Sequence, residues 1–172
     1  TLPQIDALAE AIGRDGISND NLVVLYSPSH LMWATRAWWL LRYVGHTNVK
    51  VLNGNLAAWL DAGLPVESGA KAYAAATFSP SERADVFVST AEMVTGMEDG
   101  VCTVNALSPA LYDCTGEFYF GRRGHIPGSR SLYFSDLLEK EFFLPAERLH
   151  HTLEAQGMLS ASRTLIYCGG GI

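Results

Sequence analysis

Cysteine is scarce in this sequence, and long apolar runs and an excess of basic residues are missing. The three cysteines, Cys102, Cys114 and Cys168, make an odd number, and none of them belongs to a Cys-x-x-Cys pair. This pattern argues against a disulfide framework, and no zinc-ligand spacing of cysteines is present. It favours a reducing, cytoplasmic compartment and leaves one thiol to be explained by chemistry.

Charge and hydropathy exclude two classes of partner. Lys and Arg total 12 while Asp and Glu total 18, which gives a net charge of −6. Nucleic acids and acidic membranes attract basic surfaces, so we expect neither as a partner. No apolar run approaches the roughly 18 residues of a membrane span. The chain begins without Met or a targeting signal, so we expect that it does not begin where its gene begins.

The composition is that of a globular protein, since 48% of the 172 residues are hydrophobic. In the first half, helix-like and strand-like patterns alternate. The predicted elements are a helix over 4–15, a strand over 21–26, a helix with an apolar face over 34–44, a strand over 49–52 and a helix over 56–62. This order predicts an α/β fold with parallel strands and crossover helices.

Residues 66–85 are rich in Ala, Ser and Gly and lack periodicity, which predicts a linker. A second region starts near Val86. Its predicted elements are a helix start at Ser89 and Glu92, a strand over 101–104, a long loop over 108–124, a short strand over 131–134, a helix over 145–157 and a strand over 164–167.

Cys168 follows the last predicted strand and precedes Gly169, Gly170 and Gly171. Ligands of open parallel α/β sheets bind outside the carboxyl ends of the strands. Main-chain N–H groups in a tight glycine loop stabilise an anion such as a thiolate, which is the nucleophilic form of cysteine. The pattern favours a catalytic cysteine, although a buried structural cysteine before an ordinary turn would have the same sequence. We do not expect a Walker phosphate loop, because no Gly-Lys-Ser/Thr follows in the given sequence.

Three stretches together resemble the tandem-domain rhodanese family of sulfurtransferases. They are TRAWWLLRYVGHTNVKVLNGNLAAWLDAGLPVESG, GRRGHIPGSRSL, and FFLPAERLHHTLEAQGM with TLIYCGGGI. The resemblance implies two rhodanese-like domains, each with a central parallel sheet flanked by helices and each incomplete here. Residues 1–68 would be the second half of a non-catalytic domain, 69–85 a linker, and 86–172 the first part of a catalytic domain. We expect a second chain or a further segment to complete the fold, because sheet edges would otherwise be uncovered.

The resemblance also implies a reaction. Cys168 would take sulfur from thiosulfate or 3-mercaptopyruvate as a persulfide and pass it to cyanide or a thiol, with no cofactor and no metal. Gly169, Gly170, Gly171 and Ile172 would form the first part of the active-site loop.

The sequence departs from this family at the positions that bind the donor. Leu107 and Asp113 stand where members acting on mercaptopyruvate carry arginines, and glycines follow Cys168 where members acting on thiosulfate often carry basic residues. Arg122 and Arg123 are the candidate anion contacts, with solvated loop arginines as the alternative. His125, in the same stretch, is predicted to be a structural turn histidine.

Two other functions fit the same residues. One is a non-catalytic module that binds a partner or a sulfur carrier, which the missing arginines favour. The other is a Cys-dependent phosphatase or arsenate reductase on the same fold.

Overall fold

The computed structural model describes residues 2–117 and 121–170. The chain divides into two compact units, one up to Phe87 and one from Val88 onward. No helix in the described residues is long and apolar enough to cross a membrane.

The first unit alternates helices and strands in the predicted order. Its elements are α1 (Ile5–Arg14), β1 (Val23–Leu25), α2 (Leu31–Tyr43), β2 (Val49–Val51) and α3 (Leu56–Asp61). Strands β1 and β2 are parallel, with Val23 opposite Val49. Helix α2 makes the crossover between them, as parallel neighbours require. The core of the first unit is formed by buried apolar side chains: Ala9, Ile12, Leu41, Tyr43, Val44, Val49 and Phe78.

The Ala-rich segment predicted as a linker is hydrogen-bonded to other parts of this unit. The main-chain N–H of Ala76 donates to Gly13 at 2.8 Å, and that of Ser81 donates to Val44 at 2.9 Å. The approach is close enough that a Cβ on Gly45, which has a φ of 86°, would lie 2.4 Å from the Ser81 carbonyl oxygen. Only glycine combines that backbone conformation with so close a neighbour. The segment's role as a linker between two domains stays a prediction.

The second unit contains a parallel sheet. Its elements are α4 (Thr90–Glu98), β3 (Cys102–Asn105), α5 (Pro109–Tyr112), β4 (Arg130–Ser131), a 3₁₀ helix (Phe134–Leu137), β5 (Leu138–Glu139), β6 (Phe142–Phe143), α6 (Ala146–Ala155) and β7 (Thr164–Tyr167). Strand β3 lies between β4 and β7 and is parallel to both. This arrangement places the carboxyl ends of all three strands at one edge of the sheet.

Helix α4 begins where the sequence predicts and packs on the sheet. The Ser89 hydroxyl accepts the main-chain N–H of Glu92, and the Glu92 carboxylate accepts that of Ser89, so the helix starts with a capping box. Gly96 lies so close to β7 that an added Cβ would be 2.6 Å from the Leu165 side chain. This small residue therefore lets the helix approach the sheet.

Two local predictions for the second unit are wrong, and one pair of strands was not predicted. The predicted strand over 131–134 ends at Ser131, because β4 pairs with β3 only at Arg130 and Ser131, and the 3₁₀ helix follows from Phe134. The predicted loop over 108–124 contains α5, with a Pro at its first helical position. Strands β5 and β6 form a short antiparallel pair that the sequence did not indicate.

Candidate active site

The candidate site lies at the carboxyl edge of the three-stranded sheet. Asn105, at the end of β3, is opposite Ser131 of β4 and Tyr167 of β7. Cys168 comes directly after Tyr167. It therefore lies at the edge where parallel α/β sheets bind their ligands.

Asn105 fixes the course of the chain after β3. Its side chain is buried, and its Oδ1 accepts the main-chain N–H of Leu107 at 2.8 Å. The main-chain N–H of Ala106 donates to the Tyr167 carbonyl oxygen at 2.9 Å. The turn after β3 is thus hydrogen-bonded directly to the strand end that carries Cys168.

Cys168 is half-buried, and the two glycines that follow it, Gly169 and Gly170, are exposed. Gly171 and Ile172, the rest of the predicted active-site loop, lie outside the described residues. None of the three cysteines is in a disulfide within the described chain. The Cys168 residue is thus partly accessible to solvent.

Residues 121–129, here called the arginine loop, are attached to β7 through one hydroxyl. The Tyr167 hydroxyl accepts the main-chain N–H of Ile126 at 2.8 Å and lies 2.8 Å from the Ser129 hydroxyl. Ser129 is buried. The residue beside Cys168 therefore holds the carboxyl-terminal part of the arginine loop.

A second set of contacts attaches the same loop to α5. The Tyr112 hydroxyl donates to the Ser129 carbonyl oxygen at 2.5 Å. The Tyr112 and His125 rings stack with centroids 3.7 Å apart, and His125 Nδ1 lies 2.9 Å from the Tyr112 carbonyl oxygen. Because a carbonyl only accepts, Nδ1 carries the hydrogen in this bond. These contacts agree with a structural turn role for His125, which stays a prediction.

Arg122 and Arg123 lie in the arginine loop and are exposed. Among the described residues neither forms an ion pair. Asp113, which occupies one expected arginine position, is exposed at the carboxyl end of α5. Leu107, which occupies the other, is held by its main-chain bond to Asn105. The arginine loop thus carries two exposed cations, while the two positions where the resemblance expects arginines carry none.

The sequence did not identify Tyr112, Ser129 and Tyr167 as residues of the site. The position of Tyr167 directly before Cys168 was a signal for its importance. Its partners could not be found, because they lie 38 and 41 residues away and depend on the order of the strands.

Two shallow cavities of the second unit lie away from Cys168. One of about 290 Å³ is lined by α4 and by Val101 and Arg163, which precede β3 and β7. The other, of about 330 Å³, lies between the 3₁₀ helix and α6. No group of three His, Cys, Asp or Glu side chains that could hold a metal occurs in the part of the chain that the structure describes.

Comparison with known proteins gives a consistent result. A family model described as "Rhodanese-like domain" matches residues 1–62. A probable 3-mercaptopyruvate sulfurtransferase of Pseudomonas aeruginosa is 31% identical, over 99% of this chain and 62% of its own length. The mitochondrial thiosulfate/3-mercaptopyruvate sulfurtransferase 1 of Arabidopsis thaliana is 32% identical, over 99% of this chain and 52% of its own length.

The fold agrees with these matches. The crystal structure of SseA from Escherichia coli, described as having the rhodanese fold of 3-mercaptopyruvate sulfotransferases, superposes with a TM-score of 0.86 at 25% identity and covers 99% of this chain and 64% of its own. The chain thus spans between about half and two thirds of the length of these relatives. In sequence and in fold, this chain is therefore similar to sulfurtransferases with the rhodanese fold.

Proposed function

We propose that the protein is a sulfurtransferase that carries sulfur as a persulfide on Cys168. The observation that carries the proposal is the place of this half-buried thiol, directly after β7 at the carboxyl edge of a parallel sheet. Relatives that match nearly the whole chain are named as thiosulfate or 3-mercaptopyruvate sulfurtransferases. Both donors are small anions that carry a transferable sulfur.

The first half-reaction loads the cysteine. The Cys168 thiolate attacks the outer sulfur of thiosulfate, a new S–S bond forms, and the old S–S bond breaks so that sulfite leaves with the electron pair. With 3-mercaptopyruvate the C–S bond breaks instead, and the carbon takes a proton to give pyruvate. Either route leaves one extra sulfur on Cys168.

The second half-reaction removes the extra sulfur from Cys168. Cyanide or a thiol attacks the outer sulfur of the persulfide, and the Cys168 thiolate leaves. The cycle needs no metal or organic cofactor, because the cysteine itself carries the sulfur. It needs a thiolate that is not oxidised, so we place the reaction in a reducing, cytoplasmic compartment.

Steady-state assays of the full-length protein test this function. Thiocyanate formed from thiosulfate and cyanide, or pyruvate formed from 3-mercaptopyruvate, should be measurable in the wild type and in Cys114→Ser. Both should be lost in Cys168→Ser. Equal activity in the wild type and in Cys168→Ser would disprove the assigned role of the cysteine.

A non-catalytic binding module remains the second candidate, because Leu107 and Asp113 occupy the positions where the resemblance expects substrate-binding arginines. It predicts no turnover with either donor and no hydrolysis of an aryl phosphate. Hydrolysis of the aryl phosphate that depends on Cys168 would instead indicate a phosphatase.

A further inference from the structure

The hydroxyl of Tyr167 connects two parts of the second unit that are far apart in sequence. It accepts the Ile126 N–H at 2.8 Å and shares a second hydrogen bond with Ser129 at 2.8 Å. Two hydrogen bonds within the protein therefore engage this hydroxyl. The Tyr167 hydroxyl would therefore affect a bound molecule indirectly, by fixing the position of the arginine loop.

The arginine loop depends on a small number of attachments. Within the described residues, its side-chain bonds to other segments run through Ile126 and Ser129 to Tyr167, and through His125 and Ser129 to Tyr112. Gly124 and Gly128 have φ angles of 119° and 79°, and an added Cβ at either would meet nothing within 4 Å. The loop is thus held at its His125–Ser129 end, while Arg122 and Arg123 are exposed.

The positive charge of the arginine loop is relevant because the proposed sulfur donors are anions. Thiosulfate and 3-mercaptopyruvate are anions, and a cation near the thiol would raise the local concentration of an anionic reagent. Neither Leu107 nor Asp113 supplies that cation. The exposed arginines belong to a loop that is hydrogen-bonded to the residue next to Cys168.

We propose that Tyr167 is a positioning residue for anion recognition, because its hydroxyl holds the arginine loop so that Arg122 and Arg123 attract anions to Cys168. This inference rests on the proposed function only in naming the sulfur donors as the anions. The preference for anionic over neutral reagents at Cys168 is a property that can be measured without any sulfur transfer.

The test compares two alkylating reagents of similar size. Iodoacetate is an anion and iodoacetamide is neutral, and the rate of each is measured on the Cys168 peptide of the full-length protein by mass spectrometry. The ratio of the two rates is divided by the same ratio for glutathione. We expect Tyr167→Phe, which keeps the ring and removes the hydroxyl, to lower this normalised ratio about three- to tenfold. Tyr133→Phe, in the same unit, should leave it unchanged.

A double-mutant cycle separates positioning from a general loss of structure. We expect Arg122→Ala/Arg123→Ala to lower the ratio, and Tyr167→Phe to have no further effect in that background. An unchanged ratio in Tyr167→Phe would overturn the proposal. A decrease of the same size when Tyr167→Phe is added to Arg122→Ala/Arg123→Ala would also overturn the proposal. If Tyr167→Phe does not fold, Ser129→Ala removes one partner of the hydroxyl and is expected to lower the ratio in the same direction.

Steady-state kinetics then test the role of Tyr167 in the sulfur-transfer reaction itself. In Tyr167→Phe, the KM for thiosulfate or 3-mercaptopyruvate should rise about three- to tenfold while kcat stays within about twofold. A wild type that takes no sulfur from either donor would refute the proposed function, yet the alkylation ratio would still test the inference. A wild type that turns over with an unchanged ratio in Tyr167→Phe would refute the inference alone.

Discussion

The side-chain oxygen of Asn105 lies 2.8 Å from the main-chain nitrogen of Leu107, at the point where β3 ends. Because Asn105 is buried, water cannot replace this acceptor if it is removed. We expect Asn105→Ala to lower the free energy of unfolding of the full-length protein by about 1–3 kcal/mol in urea denaturation. Asn21→Ala is the control, since Asn21 makes a similar local bond to Ser18 in an exposed turn. Equal effects of the two changes would contradict this account of Asn105.

The capping box of α4 predicts a stability that depends on pH. Hydrogen bonds from the Ser89 main-chain N–H and then from its hydroxyl lower the pKa of Glu92 below its ordinary value of 4.5. A lowered pKa in the folded state stabilises the protein above the unfolded value, and this contribution is lost as the pH falls through the folded value. Glu92→Gln should therefore lose stability at pH 6 and differ less from the wild type below the folded pKa.

Unfolding midpoints in urea between pH 3 and pH 7 check this prediction. Ser89→Ala should cost about 1 kcal/mol at neutral pH, because it removes the cap acceptor. Glu98→Gln is a matched control at the other end of the same helix. If the difference between Glu92→Gln and the wild type is constant over the whole pH range, the capping bond does not hold the carboxylate.

Gly45 and Gly63 form a matched pair in the first unit. Both have a positive φ, 86° and 68°, but only Gly45 has a neighbour in the way, the Ser81 carbonyl oxygen. Gly63→Ala should cost about 1 kcal/mol from backbone strain alone. Gly45→Ala should cost clearly more and should release residues 76–83 from α1 and α2, seen as faster proteolysis of that segment. Similar losses for both variants would show that the segment does not pack as described.

The stacked pair of His125 and Tyr112 predicts a local effect of His125→Ala. This change removes the ring stacking and the bond to the Tyr112 carbonyl oxygen. Amide hydrogen exchange at Ile126 should become about fivefold faster or more, because the arginine loop then keeps only its hydrogen bonds to the Tyr167 and Tyr112 hydroxyls. His150→Ala should have no such effect, since His150 is exposed on α6 and only approaches Glu154 at 3.9 Å. Unchanged exchange in His125→Ala would show that the stack does not hold the loop.

The sequence predicted those elements whose signals are local. Two apolar runs, one through Val23 and one through Val49, identified β1 and β2, and the Ser89–Glu92 spacing identified the start of α4. The short pair β5 and β6 was missed, because strands of two residues carry no periodicity. The end of β4 was misplaced for a related reason, since its pairing partner in β3 sets its length.

The same distinction applies to the candidate site. Cys168 could be placed from the sequence alone, because it follows a strand of four residues whose bounds, Thr164–Tyr167, the structure confirms. The partners of Tyr167 could not, because they are brought together by a parallel register between strands that are far apart in the chain. The family resemblance gave the chemistry expected at Cys168, and the structure adds the contacts that attach the arginine loop to Tyr167, the residue before it.

The measurement that tests the central claim most directly is the mass of the Cys168 peptide after the full-length protein has been treated with thiosulfate or with 3-mercaptopyruvate. The account predicts a gain of one sulfur atom on Cys168, its loss after cyanide is added, and no gain on the corresponding peptide of Cys168→Ser. A Cys168 peptide that gains no sulfur from either donor would contradict it.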